Sequence, residues 1–210
     1  MKHISKRVKY WYVQKAHVII ATTQRAASAA MAESVGTNGR QINKGAVGAM
    51  RDDDDIPIVT WIRDPYDRLA CAYPIFSRQP PFLPRDANDY AEYCMSHTNP
   101  HFSPQVDLHT AFPHGYLPTR VYAFEQLKET WPIEVPGIPL LHIGAQPNRP
   151  DWKELEDKMD PDILARVRAH WYIDELMHNA ALATPGECVG KVMEMQGKAL
   201  ARVHSLLRPV

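Results

Sequence analysis

Cysteine is scarce in this 210-residue chain, and the three present, Cys71, Cys94 and Cys188, are odd in number and far apart. No C-x-x-C pair occurs, so neither a disulfide framework nor a zinc site is expected, and no metal is. Net charge is lacking as well: 24 basic residues balance 24 acidic ones, which argues neither for nor against a nucleic-acid or membrane surface. Long apolar runs are missing. The basic start "MKHISKRVK" is followed only by "HVIIA", too short for a signal segment or a membrane span. The chain therefore reads as a cytoplasmic or otherwise soluble intracellular protein. The phosphate-loop pattern G-x-x-x-x-G-K-[ST] is also absent, which disfavours an ordinary nucleoside triphosphatase or a nucleotide kinase.

Apolar residues make up 45% of the chain and charged residues 23%, an ordinary balance for one globular unit, and residues 1–210 are read as a single domain. The 18 prolines point to long, shaped loops. "AHVIIATT" is a β-branched run of the buried-strand kind, followed by the helix-forming "QRAASAAMAES", which ends at Gly36. "GTNGRQINKGAVG" reads as loop or short strand, and "RDDDD" (51–55) as a charged turn. "IPIVTWIR" is a second buried strand. It runs into a helix opened by Pro65, with Asp64 as N-cap and Leu69, Ala72, Tyr73 and Phe76 on one face. A short helix capped near Asp86, an irregular stretch through "NPHFSPQ", a strand in "TRVYAFEQL" with a helix starting at Glu125, and a short strand in "PLLHIG" follow. A long helix then carries Ile163, Val167, His170 or Trp171, Asp174 and Met177 at helical spacing, and a helical tail covers 187–207. Trp131, Trp152, Trp171 and Tyr172 are assigned to the core. Strands alternating with helices predict an α/β fold with a central, mostly parallel sheet flanked by helices in three layers.

In such a sheet, ligands bind beyond the carboxyl ends of the strands. Two segments deliver polar groups there, Thr22 to Ala29 after the first strand and Arg63-Asp64 after the second. A loop entering a helix N-terminus offers free N–H groups and partial positive charge, a setting for an anion. The small residues Ala26, Ala27, Ser28 and Ala29 allow close backbone approach, Arg25 adds a full charge and Ser28 a hydroxyl. An arginine closing an apolar strand has to be paired, here with Asp64 or Asp67, or bound to an anion, because an unpaired buried charge is costly.

"WIRDPYDRLACAY" closely resembles the 3′-phosphate-binding segment of the PAPS-dependent sulfotransferases, above all the carbohydrate (Golgi-type) members. Arg63, Asp64, Pro65, Tyr66, Arg68, Leu69, Ala72 and Tyr73 match that segment, and Cys71 replaces its usual serine. "TQRAASAAM" resembles the family's 5′-phosphosulfate loop, with Arg25 at the lysine position, Ala27 at the small position, Ser28 at the hydroxyl position and Ala29 in place of a second hydroxyl. "NPHFSPQ" (99–105), "VYAFEQL" and "HWYIDELMH" resemble further landmarks in the family order, so the likeness spans residues 18–179. It implies a P-loop-like fold and sulfuryl transfer from 3′-phosphoadenosine 5′-phosphosulfate (PAPS) to a hydroxyl acceptor, a small molecule or glycan, with adenosine 3′,5′-bisphosphate (PAP) as product. It implies no role for a metal, and neither a nucleic-acid nor a membrane partner is expected from the sequence. Carried over by position, the nucleotide-binding residues are Thr23, Gln24, Arg25, Ala26, Ala27, Ser28, Ala29, Arg63, Cys71 and, in the loop "GAQPNRPDW", Arg149. Arg25 would also stabilise the leaving oxygen, and either Glu33 or His101 would be the general base. Arg68 is expected to pair with Asp64 or a phosphate-side carboxylate, and Asp174 to be a structural partner of a helix or loop. The competing reading is a nucleotide- or glycan-binding protein of the same fold that has lost catalysis, which the residues at 25, 29 and 71 would explain.

Overall fold

A computed structural model describes residues 8–23, 28–54, 56–76, 84–97, 99, 101–105, 118–141 and 150–187, with the backbone alone at 28, 37, 44 and 51–54. The β-branched runs found in the sequence form the middle of a five-stranded sheet. β2 (Val18–Thr23) and β4 (Ile58–Ile62) are buried along their whole length, as strands covered on both faces must be. They pair in parallel, with Ile19 opposite Ile58 and Ala21 opposite Thr60. β5 (Arg120–Ala123) pairs in parallel with β4, Ile62 opposite Ala123.

The sheet extends further than the sequence suggested. β1 (Val8–Val13) lies antiparallel to β2, and the short β3 (Arg40–Ile42) lies antiparallel to β1, giving the order β3-β1-β2-β4-β5. Four strands thus share one direction and β1 alone is reversed. The β1–β2 hairpin turns through a 3-10 segment, Gln14–Ala16, and closes on His17 in the left-handed region at φ 51°. A non-glycine residue there is uncommon, and it leaves no glycine signal to read.

Helices cover both faces. On one, α1 (Ser28–Val35) contributes Met31 and Val35, and α5 (Leu127–Glu134) contributes Leu127 and Trp131, against Val18, Ile20, Val59, Trp61 and Tyr122. On the other, α2 (Lys44–Asp54) brings Val47 against Tyr10, Ile19 and Ile58. On that face the long α7 (Pro161–Ala183) sets Met177, Ala180 and Ala181 against Ile62, Val121 and Ala123. The alternation along β2 and β4 sends successive side chains to opposite layers. α3 (Pro65–Phe76), α4 (Ala87–Ser96) and the short α6 (Trp152–Glu156) add a helical cluster around Leu69, Tyr90, Phe102 and Trp171.

Several local expectations need correction. Residues 51–54 of "RDDDD" finish α2 instead of forming a turn. Gly45 and Gly48 had weakened the helical signal there, since each disfavours a helix by about 1 kcal/mol. The helix expected at Glu125 begins at Leu127, after a 3-10 turn over Phe124–Gln126. Residues 138–141 form no strand. Tyr172 is 49% exposed and so is not core, while Trp131 and Trp171 are. The expected cap at Asp86 is present and accepts the Asp89 N–H at 2.9 Å. The tail over 188–207 lies outside the described residues. No described helix is long and apolar enough to cross a membrane.

Candidate functional site

The registers of β2, β4 and β5 bring three strand tips level. Two residues beyond the Ala21–Thr60 pair, Thr23 reaches the row of Ile62 and Ala123, so the chain leaves the sheet at one edge after all three strands. Arg63 is the first residue past β4 and is only 8% exposed. Its guanidinium lies over the Phe124 ring at 5.0 Å, and one terminal nitrogen reaches Asp67 Oδ2 at 3.2 Å. Its Nε has no hydrogen-bond partner among the described residues, nor has the fully buried Oγ1 of Thr23 on the neighbouring tip. Both polar groups thus lie at the edge where the strand order places a ligand.

Asp64 caps α3, its Oδ1 accepting the Tyr66 N–H at 2.9 Å and the Asp67 N–H at 2.8 Å. The sequence had offered this helix N-terminus as a source of free N–H groups. The cap uses two of them, so cation character at this tip rests on Arg63. Burial pushes the Asp64 carboxyl up, against the opposing pull of the Asp67 N–H and the nearby His178. His178, buried on α7, sits between carboxylates, with Nε2 2.9 Å from Glu125 Oε2 and Nδ1 4.0 Å from Asp64 Oδ2. Burial favours a raised Glu125 pKa, but the His178 hydrogen bond, its backbone contact and the charges of His178 and Arg63 outweigh that and hold it low.

Arg68 does not pair with Asp64. Its side chain, 2% exposed, donates to the Ser103 carbonyl at 2.8 Å and lies 3.8 Å from Asp174 Oδ2. Burial drops its pKa to about 10, with the Asp174 charge working the other way. Asp174 is structural, as expected, and accepts the Gln105 main-chain N–H at 2.6 Å. The Trp171 indole N–H reaches the Phe102 carbonyl at 2.9 Å, so residues 102–105 are held by α3 and α7.

The remaining candidates are scattered. Ser28 opens α1, the helix that follows β2, and Ala29 is exposed beside it. Glu33 is exposed on α1 with no partner among the described residues. The His101 ring packs 5.2 Å from Phe76, the last residue of α3. At 1.5 Å per residue that end lies about 16 Å along the helix from Pro65, so His101 is not beside Arg63. Cys71 is buried, two turns into α3 and one turn beyond Asp67. Gln24, Arg25, Ala26, Ala27 and Arg149 lie outside the described residues. Among the described residues no group of acidic, histidine or cysteine side chains could hold a metal.

Phe124, Glu125 and His178 were not picked out as site residues in the sequence. Their signal was positional: the first two follow β5 as Arg63 follows β4. No family model, curated protein or solved structure matches this chain.

Proposed function

We propose that the protein is a PAPS-dependent sulfotransferase with a P-loop-like fold, acting on a hydroxyl acceptor of the carbohydrate class. The observation that carries this reading is the buried Arg63 at the tip of β4, its Nε unpartnered among the described residues, as is Thr23 Oγ1 at the neighbouring tip of β2. A guanidinium presents several donors in one plane, and the Asp67 contact uses one terminal nitrogen, so other donors remain for a phosphate. The "RDPY" resemblance supplies the identity of the anion.

In this reading Arg63 holds the 3′-phosphate of the donor. Thr23, Arg25 and Ser28 are assigned to the 5′-phosphosulfate by their positions in the resemblance. The acceptor oxygen attacks sulfur, the S–O bond to the 5′-phosphate breaks in line with it, and PAP leaves. Negative charge grows on that leaving oxygen, and fixed donors at a helix entrance stabilise it without reorganisation. The acceptor proton passes to a carboxylate or imidazole. Glu33 is better placed than His101, because α1 directly follows the β2 tip and its carboxylate is exposed, whereas the His101 ring is packed on Phe76.

Thermal unfolding with and without PAP tests nucleotide binding, since a ligand of the folded state raises the melting temperature. Transfer from labelled PAPS to a pool of hydroxyl acceptors tests catalysis. The expected result is a shift that Arg63→Ala abolishes and that Glu33→Gln and His101→Ala leave intact, together with transfer that one of the latter two removes. A shift unchanged in Arg63→Ala contradicts the site. A normal shift with no transfer identifies the binding protein that has lost catalysis.

A further inference from the structure

We propose that Gln105 is a positioning residue for Arg63, a role that deepens the sulfotransferase reading and rests on it. β5 turns away after Ala123 into the 3-10 segment, so the first residue past β4 has no strand beside it to continue the ladder. The Gln105 side chain takes that place. Its Oε1 accepts the Arg63 N–H at 3.1 Å and its Nε2 donates to the Arg63 carbonyl at 2.6 Å. In extended backbone one residue's N–H and C=O point the same way, and a primary amide presents the matching acceptor and donor. This two-point contact fixes the peptide groups on both sides of the Arg63 Cα, and with them the direction in which the side chain leaves. The guanidinium is thereby carried over Phe124, with one terminal nitrogen on Asp67 and Nε unpartnered among the described residues.

The amide is itself held. Gln105 is fully buried, and its main-chain N–H is bound by Asp174, which faces the Arg68 guanidinium; Arg68 in turn donates to Ser103, two residues before Gln105. A buried chain of contacts therefore runs from α7 and α3 through Ser103 and Gln105 to the backbone of the anion-binding arginine. Asparagine is one methylene short of this reach, and at this length only a protonated glutamate also offers both an acceptor and a donor.

The test is calorimetric titration of the full chain with PAP and with adenosine 5′-monophosphate. The ratio of the two affinities isolates the 3′-phosphate. The wild-type chain is expected to favour PAP, and Arg63→Ala to lose that preference. Gln105→Met keeps the volume without the donor and acceptor; it should lower the preference about tenfold while leaving the monophosphate affinity within about twofold. A residue with a purely structural role would lower both affinities together. Gln105→Glu adds a rescue, because a neutral carboxyl can accept from the Arg63 N–H and donate to its carbonyl, whereas a carboxylate can only accept. Arg63 and, through the Gln105 main chain, Asp174 and Arg68 face that group. Measured against wild type at each pH, the glutamate variant should approach the wild-type preference at low pH and lose it as pH rises. A wild-type preference in Gln105→Met, or a glutamate ratio that does not change with pH, overturns the role of Gln105 while the sulfotransferase reading stands. If Gln105→Met does not fold, the glutamate series decides. If the wild-type chain shows no preference for PAP, or Arg63→Ala keeps it, the reading itself fails, and this inference with it.

Discussion

Replacing Asp174 by alanine removes the carboxylate at the centre of the buried polar chain. The Asp174 side chain is inaccessible and that of Arg68 is 2% exposed, so neither charge can be met by solvent after the change. Their 3.8 Å separation makes the attraction largely Coulombic, while the 2.6 Å contact to Gln105 is a hydrogen bond. Leaving one partner of a buried pair uncompensated costs about 3–5 kcal/mol. The orphaned Gln105 N–H would add roughly 1–3 kcal/mol if independent. Both contacts use the same oxygen, Oδ2, so the losses are not additive, and about 3–5 kcal/mol is the expected total. That is a large share of the roughly 5–15 kcal/mol that holds a domain folded. Asp174→Asn keeps an acceptor for Gln105 and loses only the charge, so it should fall between alanine and wild type. Adding Arg68→Met to Asp174→Asn removes both charges and should recover stability relative to Asp174→Ala. Urea unfolding followed by tryptophan fluorescence reads all three, because Trp171 is bound to the same segment. A loss below about 1 kcal/mol in Asp174→Ala, against the range for a broken buried pair, refutes the reasoning. A double variant less stable than Asp174→Ala refutes it equally.

Two further outcomes follow from local geometry. Asp64→Ala should cost about 1 kcal/mol through the lost cap on α3, whereas Asp64→Asn preserves it. The carboxyl is held above its ordinary 3.8, so the folded chain binds this proton more tightly than the unfolded one does. Its contribution is therefore present below 3.8 and is lost as pH rises through the folded value. The stability of wild type relative to Asp64→Asn should decline across that window and level off above it; urea titrations at stepped pH that show a rise would refute the sign. Gly39→Ala places a methyl group against the Val35 side chain and 2.9 Å from the Tyr12 carbonyl. It should lower the melting temperature, at a cost of roughly 1–3 kcal/mol, and an unchanged melting curve would show that the β1–β3 edge yields freely.

The parts of the molecule legible in sequence were those written in neighbouring residues. Ile58–Ile62, Arg63, the Asp64 cap and Pro65 form one local sentence of strand, stop and helix start, and the structure bears that out. The face of α3 carrying Leu69, Ala72, Tyr73 and Phe76 packs as the spacing predicted. β1 was missed because its hairpin closes on His17, with no Asn-Gly or Asp-Gly to mark the turn. α2 was missed because glycine and an aspartate run hide its period. In the site, Arg63 was legible as an arginine that must find a partner. Its supports were not: Gln105 lies 42 residues away, and Asp174 a further 69. Such pairings depend on how α7 crosses the sheet edge, and no local pattern encodes that. Likewise, burial of the Arg68 guanidinium follows from α4 and α7 closing over α3, while its spacing had suggested a pair with Asp64.

The central claim, that the tips of β2 and β4 grip the two ends of one adenosine nucleotide, is tested most directly by a crystal structure with PAP bound. The account predicts the 3′-phosphate within hydrogen-bond distance of Arg63 Nε and the 5′-phosphate against Thr23 and the start of α1. Nucleotide bound elsewhere on the chain, or at this edge with Arg63 still turned away from both phosphates, would contradict it.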